Sequence, residues 1–131
     1  IVTFGNCASL STSLKCACAP AHFSEVLRLA QFPNVTMKWS HAPSRFNTPA
    51  YPYEPLRPLL RQAIEAFGAD RLMWASDKTV MFGHSWGDLL YAVREDPGLS
   101  LEEKAAILGE TARRVLAWPA PAPTPTPATH G

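Results

Sequence analysis

The chain lacks the features that would place it in a membrane, on nucleic acid or in an oxidising compartment. No apolar run approaches the roughly 18 residues of a membrane-spanning helix. With 12 basic and 11 acidic side chains the formal net charge is +1, which argues against nucleic acid or an anionic membrane as the main partner. The first residues have neither the basic start nor the sustained apolar stretch of a signal peptide, so we do not expect one there. The 3 cysteines are odd in number, so we expect a reduced, cytoplasmic setting.

The two ends of the chain differ from its middle. Residues 1–20 largely lack helical or strand periodicity, and they contain Cys16 and Cys18. Together with His22 these thiols suggest a zinc site, but their spacing differs from the usual two-residue gap and a fourth ligand is missing. Residues 119–131 alternate proline with alanine and threonine, which favours extended polyproline conformation and predicts a disordered tail.

Between these ends, helical and strand patterns alternate. Residues 23–31 place apolar side chains on one face of a short helix, and residues 35–39 follow as a strand. A second helical pattern over residues 59–67 ends at Gly68, a residue that favours the left-handed conformation found after helices. Leu72–Trp74 then forms a short buried strand. This alternation predicts an α/β fold.

Polar side chains follow both predicted strands. Asp77 stands where the second strand ends, and α/β folds carry their chemistry at the carboxyl ends of strands. Asp77 is therefore a candidate metal ligand or general base, with capping of the next turn as the structural alternative. His41 and Arg45 follow the first strand, where each faces either a ligand or solvent. Lys38 lies inside the first predicted strand, and its side chain points either toward the carboxyl end of that strand or to solvent.

A five-residue motif after Asp77 supports a competing hypothesis. Gly83–Gly87 reads Gly-His-Ser-Trp-Gly, which fits the nucleophile elbow of α/β-hydrolases with Ser85 as the nucleophile. Such a serine needs a histidine base, and the histidine that follows it in sequence is His130, in the proline-rich tail. The alternative is that Ser85 caps the next helix.

The last helical patterns indicate structural elements. Residues 100–103 form a capping box at the start of a helix, and Gly109 is expected to break or bend that helix. Residues 111–118 are predicted to form a closing helix. The apolar residues expected to pack on the rest of the fold are Val115, Leu116 and Trp118.

Four segments of the chain resemble, in order and spacing, the amidohydrolase-related proteins, which are built on a (β/α)8 barrel. These segments are residues 32–39, 51–53, 66–77 and 107–118. In that family the segment like residues 71–77 is the eighth strand and its aspartate faces the active site; Ala75 here replaces the usual glycine. A whole barrel needs about 250 residues, so the resemblance implies a partial (β/α)8 TIM barrel with C-terminal βα units only. It divides the chain into a poorly matching segment 1–20, a barrel part 21–118 and the tail 119–131.

The resemblance also implies a function. Members of the family hydrolyse C–N, ester or lactone bonds, and some relatives decarboxylate, so we expect a small-molecule substrate and a truncated hydrolase whose activity in isolation is not assumed. Asp77 is the implied catalytic residue and metal ligand, and His41, Arg45 and His84 are the implied substrate contacts. The alternatives are the serine hydrolase using Ser85 and a non-catalytic fragment that self-associates through exposed strand edges.

The implied cofactor is a divalent metal, zinc or manganese. The family uses a His-x-His pair for that metal, and this pair occurs nowhere in the sequence. The sequence therefore predicts an incomplete metal site.

Overall fold

The computed structural model describes residues 2–3, 19–79 and 81–119, which form a small parallel sheet and the helices packed against it. The strands are β1 (Val2–Thr3), β2 (Met37–Trp39) and β3 (Leu72–Trp74). The α-helices are α1 (Ala19–Arg28), α2 (Ala42–Arg45), α3 (Arg57–Phe67), α4 (Trp86–Arg94), α5 (Leu101–Ala105) and α6 (Thr111–Val115). Short 3-10 turns span Leu29–Gln31, Glu54–Leu56 and Ala69–Arg71, and a π-helical turn spans Ala106–Glu110.

The three strands pair in parallel in the order β1-β2-β3, so β2 lies in the middle. Met37 of β2 is aligned with Leu72 of β3, and Trp39 is aligned with Trp74. Parallel neighbours need a crossover connection, which α3 provides between β2 and β3. The mixed helix-and-strand architecture predicted from the sequence is confirmed. The strands described here form an open sheet and do not close into a barrel.

The hydrophobic core lies between the sheet and the helices. Met37 and Leu72 are both 0% exposed, and they belong to one cluster with Phe67 of α3 and Ile107 of the π-helical turn. Successive residues of a strand point to opposite faces of the sheet. Lys38 therefore lies on the face opposite to Met37, away from this cluster and half-buried. One face of the sheet holds this core, and the other carries Lys38 together with the buried Met73 of β3.

The predicted elements are confirmed in type and differ at their ends. The strand predicted at residues 72–74 has those bounds. The strand predicted at residues 35–39 begins at Met37, because the amide of Val35 donates to the carbonyl of Phe32 in a turn. The helix predicted at residues 23–31 begins four residues earlier and ends in a 3-10 turn.

Both predicted helix caps are present. The Ser85 side chain accepts a hydrogen bond from the amide of Asp88 at the start of α4. Ser100 and Glu103 form a reciprocal capping box at the start of α5. Each pair satisfies amide groups that the first helical turn leaves without a partner. The local spacing in the sequence was sufficient to predict both.

The closing helix departs from the prediction. Gly109 lies within the π-helical turn that separates α5 from α6, so the expected irregularity is present there. The helix predicted to reach residue 118 ends at Val115, which is half-buried. The predicted packing of Leu116 and Trp118 is wrong, because their side chains are 45% and 61% exposed. These positions follow the last helical turn and therefore do not continue its buried face.

Some predictions concern parts of the chain that lie outside the described residues. They include the proposed thiol ligands Cys16 and Cys18, most of the segment 1–20, and the tail after residue 119 with His130. His22 lies within α1 and is exposed. Among the helices that the structure describes, none combines the length and the apolar character needed to cross a bilayer.

Candidate active site

Asp77 lies just beyond the carboxyl end of β3 in a left-handed backbone conformation. Its φ angle is 45°, and its carbonyl accepts a hydrogen bond from the amide of Met81, which closes the turn that follows. Aspartate visits this conformation more readily than most residues, although it still costs conformational energy. The turn directs the chain back over the end of the sheet and holds the Asp77 side chain beside β2.

Two basic groups hold the carboxylate of Asp77. Lys38 Nζ donates to Oδ1 at 2.8 Å, and His41 Nδ1 lies 3.0 Å from Oδ2. The Asp77 side chain is 20% exposed, and those of Lys38 and His41 are 27% and 18% exposed, so the cluster is largely shielded from solvent. Both carboxylate oxygens are therefore engaged at once.

The environment of Asp77 favours its ionised form. Partial burial acts to raise the pKa of the carboxyl group, but hydrogen bonding from Lys38, Ser40 and His41 outweighs it and leaves the pKa below its ordinary value. Ser40 Oγ is itself buried and, among the described residues, has no hydrogen bond of regular geometry. Its hydroxyl dipole is nevertheless close enough to favour the carboxylate. Asp77 is thus an anion at neutral pH.

The direction of the hydrogen bond between His41 and Asp77 follows from that anion. An ionised carboxylate can only accept hydrogen bonds, so the Nδ1 of His41 carries the proton of this contact. In a neutral imidazole the other nitrogen, Nε2, is then a proton acceptor. His41 precedes α2 with a φ of 60°, a conformation that places the ring beside Asp77 instead of continuing the strand. The pair has the arrangement of a base held by a carboxylate.

A pocket opens at the carboxyl ends of β2 and β3. It is lined by Trp39, Ser40, His41, Ala42, Pro43, Tyr53, Leu56, Trp74, Ala75, Ser76, Leu89, Ala92 and Val93. The wall is mainly apolar, and its polar atoms come from Ser40, His41, Tyr53 and Ser76. Small-molecule sites commonly combine an apolar wall with a few polar groups in this way.

A second histidine contacts one residue of the pocket wall. Tyr53 Oη lies 2.8 Å from Nδ1 of His84, and the two rings are 5.5 Å apart. Tyr53 is 2% exposed and has a φ of 55°. Burial, reinforced by the negative charge of Asp88, raises the pKa of the Tyr53 phenol. The hydroxyl therefore stays protonated at neutral pH and is able to donate.

The four residues singled out in the sequence have different surroundings. Asp77 and His41 are brought together. His84 is not in that cluster, and it reaches the pocket through its contact with Tyr53. Arg45 lies half-buried in the last turn of α2 and is not part of the pocket wall.

Sequence reasoning missed two residues of the site. The sequence leaves open whether Lys38 faces the strand end or solvent, and it indicates Tyr53 only as part of the segment 51–53. The single charge in an otherwise apolar strand was the signal for Lys38, because a charge there needs a partner on the face of the sheet opposite to the core. For Tyr53 no local pattern indicated a role in the site.

The competing serine-nucleophile hypothesis is not favoured. Ser85 Oγ is engaged as the cap of α4, where it accepts from the Asp88 amide at 2.9 Å. The neighbouring His84 directs Nδ1 to Tyr53. The residues before Ser85 form turns instead of the strand that a nucleophile elbow follows.

The described residues do not fit a divalent metal site by themselves. They contain no group of three histidine, cysteine, aspartate or glutamate side chains arranged to hold an ion. Asp77 and His41 supply two candidate ligands, whereas catalytic zinc sites use three protein ligands. The ammonium group of Lys38 also occupies Oδ1 of Asp77, where a cation would bind.

Comparison with known proteins identifies the family. The amidohydrolase family model matches residues 19–118. A crystal structure of an amidohydrolase from Burkholderia multivorans with bound HEPES is similar, with a TM-score of 0.67 and 26% identity over 79% of this chain and 38% of that chain. A second crystal structure of an amidohydrolase from the same organism, with bound zinc, gives a TM-score of 0.66 and 25% identity over 79% of this chain and 39% of that chain.

The extent of these matches has two consequences. Among curated proteins none is significantly similar in sequence. The chain spans less than two fifths of the length of the two crystallised amidohydrolases. Their similarity assigns the open sheet to part of an amidohydrolase fold. With the family model matching most of the sequence, this chain belongs to the amidohydrolase family.

Proposed function

We propose that this chain carries part of the active site of a hydrolase that cleaves a C–N, ester or lactone bond in a small-molecule substrate. The observation that carries the proposal is the contact between His41 Nδ1 and Asp77 Oδ2, at 3.0 Å, at the carboxyl ends of neighbouring strands. Family membership supports hydrolysis as the reaction class.

In the proposed reaction, His41 and Asp77 act as one proton-accepting pair. The lowered pKa of Asp77 makes the carboxylate a weak base, since a base works best with a pKa near the working pH. The Asp77 carboxylate is instead well suited to hold His41 in the tautomer whose Nε2 accepts a proton. Lys38 keeps the carboxylate ionised throughout.

The proposed hydrolysis has two steps, addition of water and loss of the leaving group, and His41 carries the proton between them. A water molecule transfers one proton to His41 Nε2 while its oxygen forms a bond to the carbonyl carbon of the substrate, and the C=O π bond opens to an oxyanion that re-forms the carbonyl in the next step. The bond from that carbon to the leaving nitrogen or oxygen then breaks, and the leaving group takes the proton from His41. The Asp77 carboxylate stabilises the imidazolium that exists between these transfers.

A divalent metal is not assigned a step in this proposal. Bound zinc is present in one of the similar crystal structures. In this chain the described donor set of Asp77 and His41 is insufficient for a metal centre. The proposed steps therefore use side-chain groups alone.

The test is hydrolysis of a panel of lactones, esters and amides by the wild-type protein and by Asp77→Asn. General acid–base groups contribute about 10²- to 10⁴-fold to rate, so we expect a loss of that size in kcat for the variant. Asp70→Asn is the matched control, because Asp70 is an exposed acid at the other end of β3. Hydrolysis at the wild-type rate by Asp77→Asn would contradict the proposal.

A further inference from the structure

We infer that Tyr53 is a positioning residue, which holds the His84 ring through its Nδ1 so that the Nε2–H is available to an acceptor oxygen of the ligand. The role of that oxygen as part of a substrate rests on the proposed hydrolase function. The tautomer of His84 and its dependence on Tyr53 do not rest on that function. Tyr53 and His84 would thereby extend the site beyond the Asp77–His41 pair.

The contact between Tyr53 and His84 joins two separate segments. Tyr53 precedes the 3-10 turn at Glu54–Leu56, and His84 lies in the loop between Asp77 and α4. Their side chains meet with a separation of 2.8 Å between Oη and Nδ1. Because Tyr53 also lines the pocket together with His41, this contact links the half-buried His84 to a residue of the pocket wall.

The chemistry of the two groups indicates which of them donates. Burial and the nearby Asp88 disfavour the phenolate, so the hydroxyl keeps its proton. A phenol O–H is a stronger hydrogen-bond donor than an imidazole N–H, and an imidazole nitrogen is a stronger acceptor than a phenol oxygen, so Oη donates to Nδ1 of His84 and Nε2 carries the ring proton. Among the described residues, His84 has no other side-chain hydrogen bond. Its Nε2–H is therefore a free donor.

The backbone of Tyr53 is consistent with a constrained functional position. A φ of 55° is uncommon for a bulky residue. Such conformations cost roughly 1–3 kcal/mol and persist where the surrounding structure fixes them, often at ligand sites. Here the conformation places a buried ring against the pocket and its hydroxyl on His84.

The ligand group that fits this donor is a carbonyl or carboxylate oxygen. An imidazole N–H donates one directional hydrogen bond, which an acceptor oxygen of a carbonyl or carboxylate satisfies. A substrate with a carbonyl at the His41 end and a second acceptor oxygen near His84 would meet both groups. Lactones and amides with an additional carboxylate have this pattern.

The experiment is nitrogen NMR of the histidine side chains in the whole protein, with sodium acetate as the oxygen probe. In the wild type we expect His84 to be in the Nε2–H tautomer and its Nε2 signal to shift on addition of acetate. Tyr53→Phe removes one hydroxyl, so we expect a mixture of tautomers and acetate binding weakened roughly five- to tenfold. Tyr51→Phe is the matched control, because Tyr51 is 43% exposed and packs its ring edge-on against Tyr53, whereas the described hydroxyl on His84 is that of Tyr53.

Three results of these NMR measurements would contradict the positioning role of Tyr53. An Nδ1–H tautomer in the wild type would overturn it, and this measurement needs no variant. An unchanged tautomer in folded Tyr53→Phe, or an Nε2 signal that acetate does not move, would also overturn it. The hydrolysis assay on Asp77→Asn is independent of these signals, so failure of the proposed function and failure of this inference are distinguishable.

Discussion

Lys38 and Asp77 are 39 positions apart in sequence, yet Nζ of the lysine lies 2.8 Å from Oδ1 of the aspartate. The parallel pairing of β2 with β3 brings them together, because the carboxyl ends of parallel strands meet at one edge of the sheet. Lys38 reaches this edge from the face of β2 opposite to the core, and the left-handed turn at Asp77 brings the carboxylate to it. The charge pair is thus a product of sheet topology.

Removal of the lysine charge is predicted to destabilise the protein and to raise the pKa of Asp77. Lys38→Met deletes the donor to Oδ1 and leaves the carboxylate with fewer favourable contacts, so we expect a loss of about 1–2 kcal/mol in the free energy of unfolding. Urea unfolding at neutral pH measures the stability, and carbon NMR titration of the carboxyl groups measures the pKa.

Lys78→Met is the control for that prediction. It makes the same change in formal charge one residue from Asp77, but Lys78 is exposed and its ammonium lies 3.5 Å from the Met81 carbonyl. We expect a change within about 0.5 kcal/mol. Equal losses in the two variants would indicate a general effect of charge and not the specific pair.

Acid is predicted to weaken the fold through Asp77. Its folded-state pKa lies below the unfolded value of about 3.9 for aspartate. The unfolded state therefore binds more protons in this range, so stability rises with pH. The contribution of Asp77 is fully present above the unfolded pKa and is lost as pH falls through the folded pKa.

Urea unfolding at several values between neutral pH and about pH 3 checks this linkage. Asp77→Asn should show a smaller decline than the wild type. Part of the decline should remain, because hydrogen bonds from Arg61 and Ser100 also hold the pKa of Glu103 below its ordinary value. An identical pH dependence in wild type and Asp77→Asn would show that the carboxyl has no lowered pKa in the folded state.

Features set by neighbouring residues were predictable from sequence, and those set by distant contacts were not. The Ser85 cap and the strand at residues 72–74 depend on residues within one helical turn or one strand, so local spacing indicates them. Lys38 could be placed on a strand, but its partner depends on pairing between strands. The contact of Tyr53 with His84 spans 31 positions and connects two irregular segments, for which periodicity carries no information.

Removal of the Ser85 hydroxyl is predicted to affect stability and leave catalysis intact. Ser85→Ala deletes the acceptor for the Asp88 amide at the start of α4, and loss of such a cap costs about 1 kcal/mol. Ser85→Asp retains a capping oxygen and should keep most of the stability. Thermal unfolding and the hydrolysis assay are measured on the same samples. A loss of hydrolysis in folded Ser85→Ala, with full activity in Asp77→Asn, would instead support the serine nucleophile.

Substitution of Gly68 by alanine is predicted to destabilise the junction between α3 and β3. Gly68 has φ 81° and ψ 145°, a region that residues with a side chain rarely adopt. A Cβ there would also lie 2.6 Å from Oδ1 of Asp70, which would have to move. We expect Gly68→Ala to lower the free energy of unfolding by about 1–3 kcal/mol.

Gly109→Ala is the matched control, because a Cβ at Gly109 meets no atom within 4 Å and alanine favours helix by up to about 1 kcal/mol. Urea unfolding should therefore give changes of opposite sign, and destabilisation of equal size at both positions would contradict an origin in the backbone conformation of Gly68.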